Sequence, residues 1–199
     1  LLFGNKANAV TSEGYYIKKN NDTVYATFNT TPFSKFLIKN TLVDLQRSIT
    51  VIKQDDTKEK LLPQDILSFT LFVKNAKNDL ITDTFTFDAK SYKIFKKDHY
   101  DFMRRIVKGK LSLYVYYYIS NMPTQKLNGQ GFERSNEFME NYIIVDADDK
   151  LYNTSLINFT KELTKVFSDC ASVVKKIENK TYNKNNCVEM VNEYNSCGY

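Results

Sequence analysis

The chain is poor in the residues on which most catalytic chemistry depends. Its 199 residues include one His, three Cys, six Gly, three Pro and no Trp. So few Gly and Pro exclude collagen-like, linker-like and glycine-rich repeat classes. No apolar run approaches the ~20 residues of a membrane-spanning helix. GxGxxG, P-loop, HExxH and GxSxG patterns are all missing. Only four of the 28 basic residues are Arg. That argues against specific nucleic-acid readers, which lean on the planar guanidinium fork. The remainder is ordinary globular composition: 42% hydrophobic, 26% charged, 14% aromatic and a net charge of +5. This length buries a full core without metals or crosslinks.

The pattern changes once along the chain. Residues 13–150 carry strand signals. Val24, Ala26 and Phe28 alternate with Thr23, Tyr25 and Thr27, and Asn20-Asn21-Asp22 before them has turn chemistry. Tyr15-Tyr16-Ile17 completes a hairpin, 14–18 with 23–29. Further strands are read at Phe36–Ile38, 48–52, 69–73, 82–87, 111–119 and 142–145, with a polar loop at 122–133. Phe102, Ile106 and Val107 sit at helical spacing and predict a short helix over 98–108. Leu111 to Ile119 is apolar on both faces, which predicts a covered strand. Its Tyr114, Tyr116 and Tyr118 side is expected beneath the C-terminal helices, against Phe159 and Leu163.

From Ser155 the period is helical. Leu156, Phe159, Leu163, Val166, Phe167 and Cys170 share a stripe, with Ser155 as cap. Asn183 offers a second cap, before Cys187, Val188, Val191 and Tyr194. Strands followed by helices predict an α+β protein: a mostly antiparallel sheet or partly closed barrel, then a C-terminal helical segment. We read 10–199 as one such domain, β-rich over 13–150 and helical over 155–197. Residues 1–9 read as the remnant of a signal peptide, because Ala7-Asn8-Ala9 follows an apolar stretch as a cleavage site does.

Cys170 ends one helical stripe and Cys197 follows the second helix, and a bridge between them would pin the helical hairpin shut. The alternative is three reduced core cysteines. No CxxC and no nearby His accompany them, so no metal site and no cofactor are expected. His99, within Asp98-His99-Tyr100-Asp101, reads as a surface residue. Eight basic residues against two acidic ones fall within 90–110. Lys93, Lys96, Lys97, Arg104 and Arg105, interleaved with aromatics, form the candidate anion patch. Solvated outer faces are the simpler reading of that segment.

Several phrases resemble a family of exported envelope proteins of unknown function from Bacteroidetes-type bacteria. Glu13-Gly14-Tyr15-Tyr16-Ile17 with Asn21-Asp22-Thr23-Val24 is similar to its "GYI…GDT" hairpin, with Asn21 in place of the usual Gly. Leu62-Pro63-Gln64-Asp65-Ile66 with Phe69 resembles "PxDIxxF", and Gly109 to Tyr114 resembles "GKxxLY". Phe167-Ser168-Asp169-Cys170 and Tyr194-Asn195-Ser196-Cys197 resemble "FxDC" and "YNxC". The resemblance implies export to the periplasm or outer envelope and a Cys170–Cys197 bridge. It implies no catalytic residue. The expected function is a non-enzymatic envelope module that binds a partner or ligand. The alternatives are a hydrolase of envelope polymers using carboxylates, and a binder of anionic polymer or lipid headgroups through 90–110.

Overall fold

The computed structural model describes residues 10–30, 38–74, 81–94, 97–125, 132–155 and 158–197. The proposed leader, 1–9, therefore lies outside the described residues. The chain divides into two compact units between Met103 and Arg104. The division falls inside a strand, well before the change from strands to helices near 150.

The first unit contains β1 (Val10–Lys18), β2 (Thr23–Thr30), α1 (Ile38–Arg47), β3 (Ile49–Ile52), β4 (Lys58–Leu61), β5 (Ile66–Lys74) and β6 (Ile81–Ile94). The strand β7 (Lys97–Val107) runs across the boundary. Strand order in this unit is β7-β6-β5-β1-β2-β3-β4. β1 and β2 form the expected hairpin, from Val10↔Thr30 to Ile17↔Thr23. Its turn places Asn21 at φ 68°. The Asn21 amide donates to the Lys18 carbonyl and the Lys18 amide to the Asp22 carbonyl, each at 2.9 Å. Asn tolerates this left-handed geometry better than most residues.

The inner face of this sheet is phenylalanine. Phe69 stacks on Phe87 at 4.8 Å and meets Phe102 edge-on at 4.9 Å. Phe28, Phe69, Phe87 and Phe102 are all buried. Two sequence expectations are corrected here. Ile38 opens a helix, not a strand, and Phe36 lies outside the described residues. Thr41, Leu42, Leu45 and Gln46 are buried along that helix, and a face half built of polar residues hides helical periodicity. Residues 98–108 form no helix but lie almost wholly on β7. Phe102 and Met103 are neighbours yet both fully buried, so the strand is covered on both sides. Its pairing also shifts between Arg105 and Val107, which produces the spacing that mimics a helix.

The second unit contains β8 (Ser112–Gln125), β9 (Phe132–Val145), β10 (Leu151–Asn153), α2 (Phe159–Val166), α3 (Ala171–Glu178) and α4 (Cys187–Asn195). Its strand order is β7-β8-β9-β10. The β8–β9 register runs from Ser112↔Val145 to Gln125↔Phe132. The ends of the expected 122–133 loop are thus paired strand, and its middle lies outside the described residues. Among the described residues the pairings are antiparallel, and β4 and β10 each have a single strand neighbour. The architecture is α+β with an open sheet rather than a partly closed barrel.

The C-terminal helices cover the leucine side of β8, not the tyrosine side. Leu111, Leu113 and Ile144 pack in one buried cluster with Leu163, Phe167, Val173, Ile177, Met190 and Val191. Tyr114, on the other face, is also buried, whereas Tyr118 is exposed. The first helix begins later than expected. Asn158, not Ser155, accepts from the Lys161 amide as its cap, and the Ser155 hydroxyl donates to Asn141 instead. Asn183 caps the short 3-10 turn at Lys184–Asn186 that leads into α4.

Candidate functional site

Three of the five resemblance-bearing phrases meet in the second unit. Cys170 and Cys197 are joined by a disulfide. Asn195, at the end of α4, accepts from the Leu111 amide and donates to the Leu111 carbonyl, both at 2.9 Å. Its side chain thus satisfies the residue just before β8 as a neighbouring strand would. Lys110 pairs with Asp169 and lies 4.9 Å from the centre of the Tyr194 ring. Phe167 meets that ring edge-on at 5.1 Å. Gly109 is required by space: a Cβ there would lie 2.3 Å from the Asn195 amide nitrogen, which the two hydrogen bonds hold in place. The hydrogen bond to Lys110 holds the Asp169 carboxyl below its usual range, and the same bond raises Lys110. This cluster is a clasp between helices and sheet. Its polar side chains bond one another or the backbone, and Lys110 and Asp169 do so at the surface.

A second knot lies beside it. Glu193 accepts from Lys176 at 2.7 Å, from Ser172 at 2.9 Å and from the Tyr182 hydroxyl. These bonds, Lys176 first and Tyr182 second, hold its carboxyl below the usual carboxylate range. A depressed carboxyl stabilises the fold above its unfolded pKa, about 4.3, and ceases to do so as pH falls through the lower folded value. The melting temperature of wild-type protein should therefore drop from pH ~5 downward. Glu193→Gln should be less stable at neutral pH and flatter across the same acid range. Parallel melting curves for the two proteins would show that the knot contributes nothing.

Cys187 is the free cysteine and is buried. Burial pushes its thiol up to about 11, and its sulfur lies 3.2 Å from the Lys184 carbonyl. Because the thiolate is the reactive form, the folded oxidised protein should show no reactive thiol at neutral pH. After denaturation without reductant it should show one. Three would contradict the bridge.

Of the expected anion patch, the described side chains are those of Arg104 and Arg105. Lys96 lies outside the described residues, as do the side chains of Lys93 and Lys97. Arg104 and Arg105 are consecutive on β7, opposite Val115 and Tyr114 respectively, so they point to opposite faces. Arg104 donates to the Tyr117 hydroxyl at 3.1 Å, and Tyr117 stacks on Phe138 at 5.4 Å. His99 is half-buried rather than freely exposed, stacked on Tyr92 at 5.5 Å. The acidic run Asp146–Asp149 is a turn. Asp146 accepts from the Asp148 and Lys150 amides and from the Tyr152 hydroxyl. Among the described residues no His, Cys, Asp or Glu group of three is placed to hold a metal.

The arrangement that does face outward lies in the first unit. Tyr25, in the middle of β2, is 77% exposed. Its ring meets Tyr15 at 5.9 Å, and Tyr15 meets Phe72 at 6.1 Å. Three strands thus carry one aromatic row across the outer face of the sheet. Two open hollows, of about 510 and 680 Å³, flank Tyr25. Ala26, Ile52, Lys53 and Gln54 line both, and Asp55 and Glu59 line one, Glu13 and Asp56 the other. Lys53 pairs with Glu59 at 3.1 Å and Lys74 with Glu13 at 2.8 Å. Hydrogen bonds from the Thr57 hydroxyl and amide hold Asp55 below the usual carboxylate range.

The hollows exist because β2 and β3 part company. β2 pairs with β1 along its length but with β3 only at Thr27↔Ile52 and Phe28↔Val51. β3 meanwhile pairs with β4 throughout, and the turn between them places Asp56 at φ 60°. Sequence reasoning did not find this groove. The one local signal is Tyr25 itself, a large aromatic alternating with Thr23 and Thr27 on the polar side of a strand. No helix among the described residues is long and apolar enough to cross a membrane. No family model, curated protein or solved structure matches the chain.

Proposed function

We propose that this chain is a non-enzymatic binding module of the cell envelope, exported, whose ligand lies in the groove beside Tyr25. The observation that carries this reading is Tyr25 itself. A tyrosine left mostly in water, with Tyr15 and Phe72 continuing the row, is a contiguous apolar surface of the kind that marks an interaction site. Tyr is also a residue type that dominates binding energy when a partner covers it. Export is supported by the Cys170–Cys197 bridge, since such bonds persist in oxidising compartments.

The hydrolase alternative fares worse on electrostatics. A general acid needs a raised carboxyl pKa. The carboxyls that are shifted among the described residues, Asp55, Asp146, Asp169 and Glu193, are all lowered. The anionic-polymer alternative draws no support from Arg104 and Arg105, which share no face. The test is cosedimentation with envelope fragments of the host cell. Tyr25→Ala should weaken retention roughly tenfold or more while leaving the melting temperature unchanged, because the side chain is exposed. Equal retention of the two proteins would refute the site.

A further inference from the structure

We infer that the groove takes an extended peptide carrying Lys or Arg, added as a strand to the open edge of β2; the inference rests on the groove being the binding site. Antiparallel pairs alternate between residues that exchange both backbone hydrogen bonds and residues that exchange none. The Lys18 amide bonds the Asp22 carbonyl, so that pair is of the bonded kind. In this register Tyr16↔Val24 and Gly14↔Ala26 are then bonded too. The backbone groups of Val24 and Ala26 point at β1, and those of Thr23 and Tyr25 point the other way. The opposite side agrees. The Lys53 amide bonds the Thr57 carbonyl, which turns Val51 and Lys53 toward β4 and leaves Ile52 to bond Thr27. The pairing with β3 stops there. Tyr25 and Thr23 are left presenting amides and carbonyls to the groove at the two-residue spacing of a strand.

An open strand edge is normally blunted by charge. β4, the edge at the end of this unit, reads Lys58-Glu59-Lys60-Leu61 and is so protected. Thr23-Val24-Tyr25-Ala26 carries no charge at all, and Val24, Tyr25 and Ala26 line the hollows. The chemistry around it chooses the occupant. A residue directly opposite Tyr25 would place its side chain beside Tyr25 on the same face of the sheet, and an aromatic ring attracts a cation. Asp56 lines the same hollow, and among the described residues no cation is paired with it. Peptides captured by strand addition take affinity from the main chain and specificity from alternate side chains.

The test uses a capped eight-residue peptide of alternating Thr and Lys, titrated into the ¹⁵N-labelled full chain and read residue by residue. The expected result is perturbation of the Thr23 and Tyr25 amides. N-methylation of the Lys amides should weaken binding tenfold or more, because Lys opposite Tyr25 uses those amides. N-methylation of the Thr amides, which point away, should be tolerated. Thr-Glu peptide should bind more weakly, and Asp56→Asn, which keeps a residue suited to its backbone, should weaken the Thr-Lys peptide about threefold. Tyr25→Pro, which removes the outward amide at an edge position, should abolish binding where Tyr25→Ala only weakens it.

Equal binding of both N-methylated peptides would overturn strand addition and reduce the contact to charge. No shift at Tyr25 with about 1 mM peptide would overturn the proposal outright. If an oligosaccharide such as chitohexaose moves Tyr25 and no peptide does, the peptide proposal fails and the binding-module reading stands. If Tyr25→Ala also leaves envelope retention intact, both fail.

Discussion

Gly14→Ala is expected to destabilise the first unit by about 3 kcal/mol, the upper range for forcing extra atoms into a packed interior. Gly14 sits on β1 between Ala26 of β2 and Leu71 of β5. A Cβ there would lie 1.9 Å from the Thr70 carbonyl oxygen and 3.0 Å from the Phe28 ring. The nearer atom is backbone, so no rotamer change relieves the clash. Either β5 moves away from β1, which breaks the sheet beside Phe69, or β1 bends and lifts Tyr15 from Phe72. At 2–4 °C per kcal/mol for a chain of this size, the midpoint should fall by roughly 6–12 °C. A midpoint within a degree of wild type would mean that the two strands are further apart than described here.

Replacing Cys170 and Cys197 together by Ser is expected to cost about 3.5 kcal/mol in the second unit. The two are 27 residues apart, and that figure is the chain entropy released when a loop of such length is opened. Asn195 on Leu111 and Lys110 on Asp169 remain in the variant, so it should fold with the same helices on the same face of β8. Reductant supplies the control. It should lower the urea midpoint of the wild type to that of the variant and leave the variant where it is. A wild-type midpoint indifferent to reductant would contradict the bridge.

How much of this was legible in the sequence depends on the range of the interaction. The β1–β2 hairpin follows from local alternation and from Asn20-Asn21-Asp22, and the structure has it. The helical C-terminal segment follows from the stripe through Leu163, Val166, Phe167 and Cys170. β7 was misread because burial on both faces erases the two-residue period, and a register shift at Ile106 supplied a false helical one. α1 went unseen because its buried face includes Thr41 and Gln46. The C-terminal helices were placed on the wrong side of β8, since Tyr114 and Leu113 are equally good core residues. What decides the side is Asn195 meeting Leu111, a contact across 84 residues that no local pattern contains. The groove is of the same kind. It depends on where β3 stops pairing with β2, and only Tyr25 among its residues stands out in the sequence.

The open edge of β2 is the central claim, and amide hydrogen exchange at four consecutive residues tests it most directly. Exchange reports whether each amide is bonded in the native state. The account predicts an alternation: Val24 and Ala26, bonded to β1, should be protected at least roughly a hundredfold more than Thr23 and Tyr25, which face the groove. A Tyr25 amide as slow to exchange as those of Val24 and Ala26 would show that the edge is already occupied by this chain itself. The groove would then have no strand to offer a ligand.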